Sequence, residues 1–189
     1  ATLGNTNYYV SQTTGNCESE RAFIVVEITP DPVVTQTLNL NSGLNLISFY
    51  TFPDDKKIES VFASVISNVS YIKNSDYFWK SGQLAQFNSL KEIKPGEAYL
   101  VNMLKSAVLV VSGTPVTLPY SVSLRNGLNM VGVLSQTPVN ISTMVTSKPV
   151  TYVKNFSGSW ISGGTNTITT FEPGKGYYIK TTGSTSISY

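Results

Sequence analysis

Leu38-Asn39-Leu40-Asn41-Ser42-Gly43-Leu44-Asn45-Leu46-Ile47-Ser48 returns later as Val122-Ser123-Leu124-Arg125-Asn126-Gly127-Leu128-Asn129-Met130-Val131-Gly132. Gly43 falls on Gly127, and Asn45 falls on Asn129. The echo continues in order. Tyr71-Ile72-Lys73-Asn74 returns as Tyr152-Val153-Lys154-Asn155, and Trp79 returns as Trp160. Ile93-Lys94-Pro95-Gly96-Glu97-Ala98-Tyr99-Leu100-Val101 returns as Phe171-Glu172-Pro173-Gly174-Lys175-Gly176-Tyr177-Tyr178-Ile179. Landmarks that keep their order while their spacing shrinks slightly mark an internal duplication, which governs how every single motif is read. Each copy is roughly 70–80 residues, small for a domain but large enough to close one core.

Outward from that stretch, the chain divides into a β-hairpin at 1–29, a linker at 30–36, a first copy at 37–113, a joint at 114–119 and a second copy at 120–189. Pro30-Asp31-Pro32 disfavours helix and marks the linker. Residues 37–40 and 44–49 flank Asn41-Ser42-Gly43, which predicts a hairpin with glycine at a left-handed position. Asn45 and Asn129 lie just inside the following strand, where a buried amide ordinarily serves nearby backbone groups. Ile58, Val61, Phe62, Val65 and Ile66 form one apolar stripe and predict a helix capped by Asp54 or Asp55. In the second copy Thr137 is the expected cap and Pro138 the first helical residue, ahead of Ile141, Met144 and Val145. Strands are expected at 71–73, 77–80, 97–101 and 108–111 and at their counterparts, with Pro95-Gly96 and Pro173-Gly174 as turns. The fold class is mostly β, with one short α-helix per repeat: two tandem similar lobes preceded by a β-hairpin.

The 189 residues are 41% hydrophobic and only 13% charged, with a net charge of +2. That describes a folded chain whose surface is rich in hydroxyls and amides. No Lys/Arg cluster suggests a nucleic acid partner, and no run approaches a membrane span. Residues 1–20 carry no charged head followed by an apolar stretch, so no signal peptide is expected; a mature fragment of a secreted protein reads the same way. The absence of histidine removes Ser-His-Asp and Cys-His catalysis and every His-ligated metal site. Cys17 is the single cysteine and forms neither an internal disulfide nor a thiolate cluster.

Trp79 and Trp160 occupy one place in the two copies, which favours a core anchor used twice over a sugar-stacking platform. Tyr77 and Phe78 have only Gly158 and Ser159 as counterparts. On a strand, Tyr77 and Trp79 share one face and Phe78 takes the other, so three aromatics in a row cannot all enter one core face. A displayed Tyr77 beside Trp79 would suit a flat polysaccharide, and these two are the candidate ligand-binding residues. Without histidine, catalysis would need a carboxylate pair of the glycosidase kind. Asp54, Asp55, Asp76, Glu59, Glu92 and Glu97 in the first copy, with Glu172 in the second, show no spacing that separates an acid from a base. No catalytic, cofactor-binding or metal-binding residue is therefore expected. Gly174-Lys175-Gly176 lacks the spacing of a phosphate loop. Pro30-Asp31-Pro32 and Asp54-Asp55 stand as calcium candidates, although neither matches a ligand-spaced loop.

Tyr8-Tyr9-Val10-Ser11-Gln12-Thr13-Thr14-Gly15-Asn16-Cys17-Glu18-Ser19-Glu20-Arg21 resembles the closing hairpin of bacterial Ig-like domains. Such domains are strung along large secreted and cell-surface proteins of Bacteroidetes-type bacteria, often beside polysaccharide-degrading enzymes. In that pattern the cysteine pairs with an earlier one. No earlier cysteine is present here, so the resemblance implies that the front of the domain is missing. The repeats resemble a two-copy module of secreted bacterial proteins with a Gly-hydrophobic-Asn start and a Pro-Gly-x-x-Tyr end, to which no single activity belongs. The expected function is a non-catalytic accessory module of a secreted or cell-surface multidomain protein. It would act in carbohydrate binding or adhesion, with polysaccharide or cell-surface glycan and neighbouring domains as partners. The alternative is a structural spacer without a ligand; a hydrolase ranks last.

Overall fold

In the computed structural model, residues 4–29 and 32–189 are described; Pro30 and Asp31, part of the expected linker and of a calcium candidate, lie outside the described residues, and the expected linker 30–36 ends before Val34, where a strand begins. The chain forms two compact units, Ala1–Pro32 and Val33–Tyr189.

In the first unit, Gly4–Val10 and Ala22–Ile28 pair antiparallel, and Thr13–Thr14 pairs with Cys17–Glu18 around Gly15 at φ +61°. The register places Thr6 opposite Val26, Tyr8 opposite Ile24 and Val10 opposite Ala22, which makes one face largely apolar. The other face carries Tyr9 packed on Phe23 at 5.4 Å between ring centroids. Both strands are solvent-exposed almost throughout, since two strands alone enclose no core. Cys17 is an exposed free thiol.

The second unit is built twice. In the first copy Gly43–Ser48, Ala98–Met103, Val69–Lys73 and Phe78–Lys80 form a four-stranded sheet in that spatial order. In the second copy Gly127–Gly132, Gly176–Thr181, Val150–Lys154 and Ser159–Ile161 form a sheet of the same order. All these pairings are antiparallel. A second layer covers each: Val34–Leu40, Ala107–Pro115 and Thr51–Phe52 in the first copy, Ser121–Leu124 with Thr185–Ser188 in the second. The unit is β-rich, as its β-branched and aromatic composition requires. Alternation sends Ile47, Tyr99, Val101, Ile72 and Trp79 into one core with Leu40, Phe49 and Leu109. Val131, Tyr177, Ile179 and Val153 enter the other with Leu124, Phe171 and Ile187.

Several local expectations change. Val34–Leu40 and Gly43–Ser48 are not partners in a hairpin. The chain turns at Asn41-Ser42 and the two strands part into different sheets. Gly43 and Gly127 still hold φ +87° and +100°, where a side chain is strained. Asn45 braces this turn by accepting from the Asn41 N–H at 2.9 Å and donating to the Asn41 carbonyl at 2.7 Å; Asn129 does the same to Arg125, at 2.8 Å in each bond. The apolar stripe at 58–66 is not one helix: Ile58–Val61 is α-helical and Ile66–Asn68 is a separate 3-10 turn. The β-branched run there resists a continuous helix, and the two-layer core takes Phe62 and Val65 from turns instead. In the second copy the cap is Asn140, which accepts from the Thr143 N–H at 3.2 Å, not Thr137. The preceding Val139–Asn140 is a strand paired with Thr170–Phe171. The joint is also shorter than 114–119, because Thr114 and Pro115 pair with Phe52 and Thr51.

The copies meet by reciprocal contacts. The Ser48 N–H donates to the Gly174 carbonyl at 2.9 Å, and its counterpart Gly132 donates to Gly96 at 2.8 Å. Ile47 bridges to Lys175, and its counterpart Val131 bridges to Glu97. A Cβ on Gly96 would lie 2.6 Å from Val122, and one on Gly174 would lie 2.8 Å from Leu38. Each Pro-Gly turn thus beds on the opening strand of the other copy. Leu46, Ala98 and Leu100 join Met130 and Tyr178 in a third apolar cluster at this seam. Such i-to-j and j-to-i contacts are those of a twofold pair, here within one chain.

Candidate functional sites

Asn74 organises the surface around Tyr77. Its Oδ1 accepts from the Asp76 and Tyr77 N–H groups at 3.0 and 2.7 Å, a side-chain-stapled turn that carries Tyr77 outward. Its Nδ2 donates to the Glu97 carboxylate at 2.8 Å. The Tyr99 hydroxyl donates to the same oxygen at 2.9 Å and accepts from the Lys94 N–H at 2.6 Å. Burial, reinforced by the neighbouring Glu97 charge, pushes the Tyr99 phenol far above its ordinary range, so it stays a donor. Tyr77 is 48% exposed and lines a cleft of about 270 Å³ with Ser89, Glu92, Lys94 and Glu97. The second copy has no such ring: at Gly158 a Cβ would come within 2.4 Å of the Thr167 hydroxyl.

Trp79 does not join Tyr77 in a displayed strip. Tyr77 precedes the strand Phe78–Lys80, and Trp79 is buried in the core, with its indole N–H donating to Glu59 at 2.8 Å. The reason is register: Trp79 pairs with the buried Ile72, and the neighbouring Phe78 takes the other sheet face and stacks on Tyr71 at 5.6 Å. Trp160 is half-buried against the second core.

The seam between the copies holds two further clefts, on equivalent residues, that sequence reading did not find. In the first, Asn74, Ser75 and Asp76 face Arg125 and Met130 across the Pro95-Gly96 turn. Arg125 Nη2 donates to both carboxylate oxygens of Asp76 at 2.9 Å, and the Met130 N–H donates to the Ser75 hydroxyl at 3.2 Å. About 170 Å³ remains. In the second, Asn155, Phe156 and Ser157 face Asn41 and Leu46 across Pro173-Gly174, and the volume is about 440 Å³. Substitutions between aligned copies, Arg125 against Asn41 and Asp76 against Ser157, were readable; that they face each other was not.

Asp55 is held below the usual carboxylate range by the Ser60 hydroxyl at 2.7 Å and the Lys57 N–H at 3.2 Å. It is not the expected helix cap: Lys57 is the residue before Ile58–Val61 and no side chain caps that helix, while Asp55 ties the preceding Lys57 to Ser60. Among the described residues no group of three or more Cys, Asp or Glu is placed to hold a metal ion, and no helix is long and apolar enough to cross a membrane. Neither a family model, nor a curated protein, nor a solved structure matches this chain.

Proposed function

We propose that this chain is a non-catalytic module of a secreted or cell-surface multidomain protein, and that it binds carbohydrate through Tyr77. One observation carries the reading. An exposed phenol ring, on a residue whose backbone N–H is held by the buried Asn74, stands beside Ser89, Glu92, Lys94 and Glu97, which offer both acceptors and a donor. A sugar presents C–H groups to an aromatic face and hydroxyls to flanking polar groups, and this arrangement meets both needs. Trp79 acts from below, as a core anchor under the strand. The hairpin resembles the closing ribbon of an Ig-like sandwich, and its apolar face of Tyr8, Val10, Ile24 and Val26 suits that role.

The test is retention on insoluble cellulose, chitin, xylan and peptidoglycan. Selective retention on one polymer, abolished by Tyr77→Ala with the melting temperature unchanged, is the expected result. A large loss of stability in Tyr77→Ala would place the ring in a structural role and sink the assignment. Retention on none of the polymers would favour the spacer reading, to which the extensive reciprocal seam lends its rigidity.

A further inference from the structure

We infer that the open cleft between the copies, around Asn41, Phe156 and Lys175, is a second binding site, and that it takes an acidic sugar such as a uronate residue of a polysaccharide. The inference begins from the reciprocal seam. Two clefts related by the same contacts should have the same occupancy unless side chains make them differ. One is filled by the molecule's own charge pair, since Arg125 reaches across and closes on Asp76. In the other the corresponding positions hold Asn41 and Ser157, too short to meet, and the space is left open at about 440 Å³ against about 170 Å³. The backbone framework that holds a carboxylate and its partner in one cleft is therefore present in the other without them.

The lining indicates the ligand. Among the described residues that line this cleft Lys175 alone is charged, standing where the first has Glu97. It has no carboxylate within salt-bridge distance among the described residues. The side-chain amides of Asn39 and Asn41 and the Ser157 hydroxyl are lining groups, and none bonds to another described residue. Phe156 exposes 58% of its surface at the rim. A single cation, uncommitted amides and hydroxyls, and an aromatic ring together fit a ligand that carries one carboxylate on a polyhydroxylated, C–H-faced ring. A neutral sugar leaves Lys175 unused, and a free or simple alkyl phosphate offers no ring for Phe156. The site rests on the carbohydrate reading in its ligand class, but it shares no lining residue with the Tyr77 cleft.

The experiment is calorimetric titration of the chain with oligomers of galacturonate, glucuronate, mannuronate and guluronate, each beside its methyl-esterified form. One acidic oligomer is expected to bind, with esterification weakening it at least tenfold. Lys175→Glu and Phe156→Ala, both at exposed positions, should each weaken it at least tenfold. The pair Asn41→Arg with Ser157→Asp should install the second latch and abolish binding, with Tm held or raised. Failure of every acidic oligomer would overturn the proposal. So would equal binding of the esterified form, binding unchanged in Lys175→Glu, or preference for an acidic peptide over the sugars. Retention of neutral polymers through Tyr77 is read in a separate assay, so either reading can fail without the other.

Discussion

Arg125 of the second copy holds Asp76 of the first through a single guanidinium nitrogen, 2.9 Å from each carboxylate oxygen. It is an ion pair across the seam, yet both side chains stay largely in water, at 72% and 51% exposure. Exposed pairs of this kind contribute little because water screens them and two long side chains must be ordered. The seam is held by its backbone bonds and apolar cluster; the pair decides what space one cleft offers.

Asp76→Ala is accordingly expected to cost no more than about 1 kcal/mol in urea denaturation at low salt. The cost should fade at 1 M NaCl, where screening acts over a few ångströms. A larger loss that persists in salt would mean that the pair holds the copies together.

The glycines at the seam should behave differently from those in open turns. A Cβ on Gly132 would stand 2.3 Å from the Glu97 carbonyl oxygen, and one on Gly176 would stand 2.7 Å from the Ala98 Cβ. Neither glycine has a positive φ, so the constraint is the close approach of the other copy. Gly132→Ala should cost about 1–3 kcal/mol, the usual penalty for overpacking, and Gly176→Ala a similar amount. Gly82 is the control: it sits at φ +72° with nothing within 4 Å, so Gly82→Ala should cost about 1 kcal/mol from backbone strain alone. Denaturation midpoints of the three variants check the order.

The duplicated tryptophans are not energetically equal. Trp79 is 6% exposed in the main core and anchors the strand that carries Phe78, while Trp160 is only half-buried. Trp79→Ala should lose about 3–5 kcal/mol, as large core truncations do, and Trp160→Ala clearly less. Equal losses would show that the second copy depends on its tryptophan as heavily as the first.

These contrasts trace what the sequence could and could not carry. The duplication, the β-rich class and the glycine turns were legible because they rest on local spacing and backbone sterics. The Asn45 brace was legible for the same reason. The short helix of the first copy was legible but not its end, because an apolar stripe reports which residues are buried, not the backbone that buries them; Phe62 and Val65 reach the core from turns. The expected hairpin at Gly43 failed because strands adjacent in sequence can part into separate layers. The open cleft was invisible for a different reason. Asn41 and Ser157 belong to different copies, and only the reciprocal docking brings them face to face.

The buried phenols make a prediction about alkaline stability. Burial pushes Tyr99 and Tyr189 far above the ordinary tyrosine range; the Glu97 charge adds to it at Tyr99, and the Tyr177 phenol adds to it at Tyr189 once it is itself ionised. In the unfolded chain both titrate near about pH 10. Above that value the unfolded state sheds protons that the folded state keeps, so stability is full below it and falls as pH rises towards the folded values. Each group contributes up to about 1.4 kcal/mol of loss per pH unit in that window. The two hydroxyls differ in their partners. That of Tyr99 accepts from Lys94 and donates to Glu97, whereas that of Tyr189 is buried with no hydrogen-bond partner among the described residues. Tyr99→Phe should therefore destabilise at pH 7 by about 1–2 kcal/mol, because it leaves the Lys94 N–H unmet. Tyr189→Phe should be neutral or stabilising at pH 7, since it removes an orphaned hydroxyl, and it should flatten the decline above pH 10. Urea denaturation of the parent and both variants between pH 7 and pH 11 reads the two effects separately. A destabilised Tyr189→Phe at pH 7 would mean that its hydroxyl has a hydrogen-bond partner in solution.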